Sequence, residues 1–157
     1  TWLQGLSPKE NREIPPLDYD LPLAMKAAFP DLWIGVNGGV DSLDQALALL
    51  ARGVDGVMIG RAAYHRPAAI LGAADRRVFG VPGPDADPFQ VAEDMRPVIA
   101  AHLARGGRLG GVTRHMLGLF ADRPGARQWR RLLTEAGNGG LADYDAILRR
   151  ASERLAA

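Results

Sequence analysis

Two strand ends in this sequence carry the residue types that hold an anion. One is Asn37-Gly38-Gly39, closing the apolar run Trp33–Val36; the other is Gly60-Arg61, closing the run Gly56–Ile59. Glycine lacks a Cβ, so the backbone at Gly38, Gly39 and Gly60 can take positive φ and approach a ligand closely. Successive N–H groups in such a turn converge on negative charge. Asn37 donates or accepts beside them. Arg61 offers a planar, permanently charged fork that matches two phosphate oxygens at once. A helix beginning near Gly60 would add the positive end of its dipole. Asn-Gly is also a strong hairpin signal. Here an amphipathic helical pattern follows it, and a glycine-arginine pair closes the next strand, which favours a phosphate site.

A second group of residues suits a larger anion. From Arg96 to Arg131 there are eight arginines and one acid, Asp122, a local charge of +7 in a chain whose total is +1. The remainder therefore carries −6, and such asymmetry points to an anionic polymer as partner. Arg127, Arg130 and Arg131 share a helical face beside Trp129. An arginine row with a nearby aromatic suits phosphate contact and base stacking. Trp129 reads better as a core anchor than as a stacking platform. Lys9 and Arg12, three apart in a polar stretch, share a face of one turn and by themselves read as solvated charge. His115 reads as a packing or hydrogen-bonding residue. His65, His102 and His115 lack metal-ligand spacing, and the absence of cysteine excludes disulfides, thiolate metal sites and cysteine catalysis within these 157 residues.

The elements that must position these residues alternate at first. Thr1–Leu17 reads as a long loop with one turn capped at Ser7 and proline at its first helical position. Asp20–Phe29 reads as a helix capped by Asp20 and stopped by Pro30. A β-α-β unit follows: strand Trp33–Val36, helix Ser42–Arg52 with an apolar stripe of Leu43, Ala46, Leu47 and Leu50, and strand Gly56–Ile59. Alternation predicts parallel strands with both glycine ends on one edge of the sheet. In a (β/α)₈ barrel that edge is the working face, and the last two strands often make a phosphate site there. Arg61–Leu71 reads as helix broken by Pro67.

The proline-, glycine- and aspartate-rich Gly80–Pro88 reads as a domain boundary. Beyond it the pattern is helical: Pro88–Arg105, Val112–Phe120, Ala126–Glu135 and Ala142–Leu155, which suggests a small bundle. A complete barrel takes roughly 250 residues. With two convincing strands, the chain reads as the C-terminal portion of a TIM (β/α)₈ barrel (residues 1–80) followed by a helical domain (81–157), an α/β plus all-α architecture. No run is long enough to span a membrane.

The residues also resemble a family. Gly5–Tyr19 (GLSPKENREIPPLDY), Asn37-Gly38-Gly39, Asp55–Tyr64 (DGVMIGRAAY), Asp85–Pro88 (DADP), Thr113–Phe120 (TRHMLGLF) and Pro124–Arg131 (PGARQWRR) are similar to the C-terminal part of bacterial tRNA-dihydrouridine synthases of the A type. The resemblance implies an FMN-binding TIM barrel and a helical tRNA-binding domain. It implies reduction of uridine to 5,6-dihydrouridine in the tRNA D-loop, with NADPH as reductant. Asn37, Gly38, Gly39, Gly60 and Arg61 match the FMN-phosphate motifs. Lys9 and Arg12 match one tRNA-contacting pair, and Arg127 and Arg130 a second. The family's catalytic cysteine and its flavin-contacting lysine and histidine fall upstream of Thr1, so this stretch alone is expected to be inactive. A cytoplasmic monomer is expected. Two alternatives are a non-enzymatic RNA-binding module and another FMN or sugar-phosphate barrel oxidoreductase. The β-α-β unit with its glycine ends speaks against the first, and the arginine-rich helix against the second.

Overall fold

Strands β1 (Gly35–Asn37) and β2 (Gly56–Met58) pair in parallel, with Gly35 opposite Gly56, Val36 opposite Val57 and Asn37 opposite Met58. The computed structural model of the chain describes Ser7, Glu10, residues 17–137 and residues 143–155. By its contacts the chain forms two units, Thr1–Gly60 and Arg61–Ala157.

In the first unit the helices are α1 (Asp20–Ala28) and α2 (Leu43–Ala51). The first strand starts two residues later than the apolar run predicts. Trp33 leaves the ladder because its indole lies across Gly35 and Gly56: a Cβ on either glycine would stand 2.6 or 2.4 Å from the ring. Asp55 fixes the approach to both strands. Its carboxylate accepts from Ile34 N at 2.7 Å and pairs with Lys26 Nζ at 2.9 Å, while its own N–H donates to Ile34 O. These donors hold the Asp55 carboxyl below the usual carboxylate range, the Ile34 N–H first and Lys26 second.

Two further expectations change here. The N-cap position of α1 is Tyr19, and the oxygen that meets its first N–H groups is Asp18 Oδ1, which accepts from Asp20 N and Leu21 N at 2.9 and 3.2 Å; Asp20 is already the first helical residue. The stripe that α2 buries is Leu43, Ala46 and Leu49, with Leu47 and Leu50 half-buried. The two short strands cover one flank of the helix, and the stripe turns toward them. Ser42 caps α2 by accepting from Gln45 N. Val36, Val40, Ala46, Leu49 and Val54 form the core, closed by Tyr19, Leu23, Leu50, Val57 and Ile59. At Ser7, where the sequence places a cap, Ser7 and Glu10 form a reciprocal capping box, with Ser7 N donating to Glu10 Oε2 and Glu10 N to Ser7 Oγ.

The second unit contains α3 (Arg61–His65), α4 (Pro67–Ile70), α5 (Ala74–Val78), α6 (Pro88–Asp94), α7 (Arg96–Ala104), α8 (Leu109–Thr113), α9 (Ala126–Gly137) and α10 (Tyr144–Leu155). The break at Pro67 falls where the sequence puts it. The single helix expected over Pro88–Arg105 is two, separated at Met95. Pro97 has no N–H to offer Glu93 O, and its ring crowds that carbonyl. The helix expected over Val112–Phe120 is also absent. After one turn in α8 the chain runs through successive turns to Gly125. Trp129 Nε1 donates to Met116 O at 2.7 Å, and a Cβ at Gly118 would stand 2.3 Å from His65 O. A continuous helix would need that carbonyl and could not bring the backbone so close.

Of Val112, Met116, Leu119 and Phe120, which the spacing places on one apolar face, the last three are buried and Val112 is half-buried. The buried three join Ile99, Trp129, Leu132, Leu133, Ile147 and Leu148 in one core. Phe89, Phe120 and Trp129 stack edge to face in series, with ring centroids 4.8 Å apart at each step. Tyr144 donates to Ala92 O at 2.7 Å, and burial pushes its phenol pKa upward. His102 Nε2 donates to Arg108 O and closes the Gly106-Gly107 turn.

Two substitutions in the intact protein test these roles. Trp129→Phe removes the donor to Met116 O from a fully buried site and should destabilise by about 1–3 kcal/mol, read as an earlier melt; an unchanged melt would remove the indole N–H from the packing. Asp55→Asn should also melt earlier at neutral pH. Asp55 is held below its ordinary pKa in the folded state, so its carboxylate contributes stability above the unfolded value and loses it as pH falls through the folded one. The gap between variant and wild type should therefore close on acidification. A gap independent of pH would show that charge plays no part.

Candidate phosphate turn and cationic face

Where β1 ends, the chain turns through Gly38 (φ 130°) and Gly39 (φ 64°). Gly38 O faces inward and accepts from Tyr19 OH and Val40 N, both at 2.8 Å. Gln45 Nε2 in turn reaches Tyr19 OH at 3.4 Å. The N–H groups of Gly38 and Gly39 donate to no protein acceptor among the described residues. Two adjacent unused donors beside a fixed carbonyl are what a small anion requires. Glycine is needed twice for this shape. A Cβ on Gly39 would stand 2.3 Å from Leu17 Cδ1 and 2.9 Å from Tyr19 OH, besides the left-handed φ. Leu17 and Tyr19 escaped the reading by residue type and spacing, since nothing in the pattern links them to residues twenty positions on.

Asn37 ends β1 and lines an open hollow of about 300 Å³ with Trp33, Gly35, Val36, Gly56, Val57 and Met58. Gly60 differs from the expectation. Its φ is not positive, and a Cβ there would meet only the Met58 side chain, at 3.5 Å. Its glycine leaves space; it does not relieve strain. Arg61 is exposed and opens α3. That helix has five residues, so it supplies little of the dipole expected of it. Any charge on a phosphate there would be met by the guanidinium.

On α9, Arg127, Arg130 and Arg131 are exposed, while Trp129, Leu132, Leu133 and Ala136 are buried. Trp129 is fully buried and so is a core anchor; base stacking by its ring is excluded in this structure. Arg131 Nε holds Glu135 Oε1 at 2.6 Å. Among the described residues, Arg127 and Arg130 have no acidic partner. Lys9 and Arg12 lie outside the described residues. His115 hydrogen-bonds, as expected. Arg114 Nε donates to its Nε2 at 3.0 Å, which puts the proton of neutral His115 on Nδ1, pointed at Tyr64 OH 2.9 Å away. Among the described residues no cluster of ligating side chains could hold a metal, and no helix is long and apolar enough to cross a membrane.

The chain is 52% identical over 155 residues to the tRNA-dihydrouridine(20/20a) synthase of Salmonella typhimurium, covering 99% of this chain and 46% of the relative. It is 53% identical over 146 residues to that of Escherichia coli, covering 93% and 42%. To that of Vibrio cholerae it is 54% identical over 134 residues, covering 85% and 40%. The chain thus spans less than half the length of the curated relatives it matches. The family described as Dihydrouridine synthase (Dus) matches residues 3–151, nearly the whole chain including the glycine turn and the arginine face, and on that ground the chain belongs to the dihydrouridine synthase family.

Proposed function

We propose that the intact protein is an FMN-dependent tRNA-dihydrouridine synthase, which reduces uridine in the tRNA D-loop to 5,6-dihydrouridine with NADPH as reductant. The observation that carries this reading is the pair of N–H groups at Gly38 and Gly39, unused among the described residues and held by Tyr19, in a chain that also presents an arginine face on α9. On this reading residues 1–80 are the last part of an FMN-binding TIM barrel, with β1 and β2 two of its strands. Residues 81–157 are a helical domain that binds tRNA. The protein acts as a cytoplasmic monomer.

The turn fits the phosphate of FMN. Gly38 and Gly39 supply neutral donors that are already oriented, Asn37 supplies an amide beside them, and Gly60 leaves room for the group. Arg61 supplies the opposite charge. FMN, when bound, supplies the hydride that reduces the uracil ring. This chain's residues hold its phosphate end and grip the RNA through Lys9, Arg12, Arg127 and Arg130. The carbon next to the hydride acceptor also needs a proton. The 157 residues contain no thiol, so a cysteine donor would come from a part of the protein outside them.

Two measurements on the intact protein test the two halves of this reading. Arg61→Ala should weaken FMN binding to the apoprotein by about 1.5–3 kcal/mol, the range for a charge-assisted bond; an unchanged titration would remove Arg61 from the phosphate site. Arg127→Ala with Arg130→Ala should weaken tRNA binding and leave FMN affinity alone. If both touch phosphates, the slope of log K against log salt should fall by about 0.9 for each lost contact. A wild-type slope would take both residues off the RNA surface, and an earlier melt with normal tRNA binding would assign them to stability instead.

A further inference from the structure

The arginine face of α9 does not stop at Arg127 and Arg130. Gln128, Arg131 and Glu135 follow the same helix on the flank turned to α10. There they line a hollow of about 150 Å³ together with Leu132 and with Arg150 of α10. We propose that this groove between α9 and α10 holds a backbone phosphate of RNA, so that the RNA footprint extends from α9 onto α10, with Arg150 as its outer contact. The proposal rests on the tRNA-binding role given above to Arg127 and Arg130.

Four observations carry it. Arg150 is exposed and has no acidic partner among the described residues, whereas its neighbour Arg149 lies 3.7 Å from Asp143. A guanidinium without a carboxylate, placed at a groove edge, is available to an incoming anion. Arg131 is only partly engaged. Its Nε holds Glu135, its side chain is 76% exposed, and its terminal nitrogens donate to nothing among the described residues. Such an ion pair is screened by salt and yields readily to a competing anion. Gln128 adds a neutral amide that can donate to a phosphate oxygen. Leu132 gives the groove an apolar floor, which suits the sugar edge of a nucleotide better than it suits free phosphate.

Continuity decides the class of ligand. Arg127 and Arg131 stand four residues apart on α9, and Arg150 continues the row across the groove. A row of cations on successive surfaces matches the repeating charge of a nucleic-acid backbone. Among the described residues Glu135 is the one acid lining the groove. It would repel a phosphate, and by holding Arg131 it keeps the groove from binding polyanions strongly.

The test is a salt series of tRNA binding by the intact protein, beside FMN affinity and a melting curve. Arg150→Ala should lower the logarithmic salt slope by about 0.7–0.9, the value for one phosphate contact in single-stranded or duplex nucleic acid. Over a fourfold change in salt that is about a threefold smaller loss of affinity. FMN affinity and the melt should not change. Arg150→Lys should keep the slope, since a point charge still meets phosphate. Glu135→Gln should strengthen tRNA binding by freeing Arg131. A wild-type slope for Arg150→Ala, with a reduced slope for Arg127→Ala with Arg130→Ala, would overturn the groove and leave the proposed function standing. Wild-type slopes for both would overturn the RNA surface altogether. If inorganic phosphate raises the melting temperature of wild type but not of Arg150→Ala, while the RNA slope is unchanged, the groove holds free phosphate and the RNA proposal falls.

Discussion

An indole ring cannot lie flat across a pair of strands whose side chains project at it. Trp33 lies there because the first rung beneath it is Gly35 opposite Gly56. That steric condition fixes the register, since a slip of one residue would put Val36 or Val57 under the ring. Register in turn sets where the strands end. Asn37 stands opposite Met58, so the Gly38-Gly39 turn and Gly60 leave the sheet on the same edge. Asp55 reinforces the arrangement from the other end by binding both main-chain groups of Ile34. The place of the Gly38-Gly39 turn thus follows from the rung at Gly35, three residues before it.

The second unit depends on a comparable constraint of different chemistry. Between α8 and α9 the chain makes no regular element, and short turn bonds such as Leu119 N to Met116 O leave its carbonyls with room for a further donor. Trp129 supplies one to Met116 O. The same ring completes the series with Phe120 and Phe89. One residue therefore satisfies a polar group and fills the centre of the core. With Trp129, Leu132, Leu133 and Ala136 all turned inward, the opposite face of α9 is left to polar residues. The exposure of Arg127, Arg130 and Arg131 follows from that division.

Local chemistry was legible in the sequence, and tertiary chemistry was not. Ser42 before a 3.6-residue period announced α2, Pro67 announced a break, and the glycines announced the turn. Alternation announced the parallel pair. The Val112–Phe120 stretch shows the limit. Its apolar spacing marks Met116, Leu119 and Phe120 as buried and overstates only Val112, yet spacing cannot tell a helix from a string of turns once Trp129, thirteen residues on from Met116, donates to the Met116 carbonyl. Pro97 could have been read as a break, because proline at that position removes the bond to Glu93. Asp18 displaced Asp20 as the acid that meets the first N–H groups of α1, a choice between two acids that sequence leaves nearly even. Tyr19 and Leu17 shape the glycine turn through contacts of long sequence separation, which no local pattern encodes.

The two proposed anion surfaces would meet negative charge by opposite means. At Gly38 and Gly39 the donors are neutral main-chain groups, held by Tyr19 and unable to move away. Little order is lost when an anion arrives, so the site favours long residence by one ligand of fixed shape. On α9 the donors are long, exposed guanidinium side chains. They adapt to many positions of a backbone, but each contact is screened by salt and easily exchanged. An enzyme of the proposed kind needs both. Its cofactor must stay through many turnovers, whereas its RNA must be released after each one. The charge of the chain divides unevenly, −4 over residues 1–60 and +5 over residues 61–157, so a long polyanion would be drawn to the second stretch and repelled by the first.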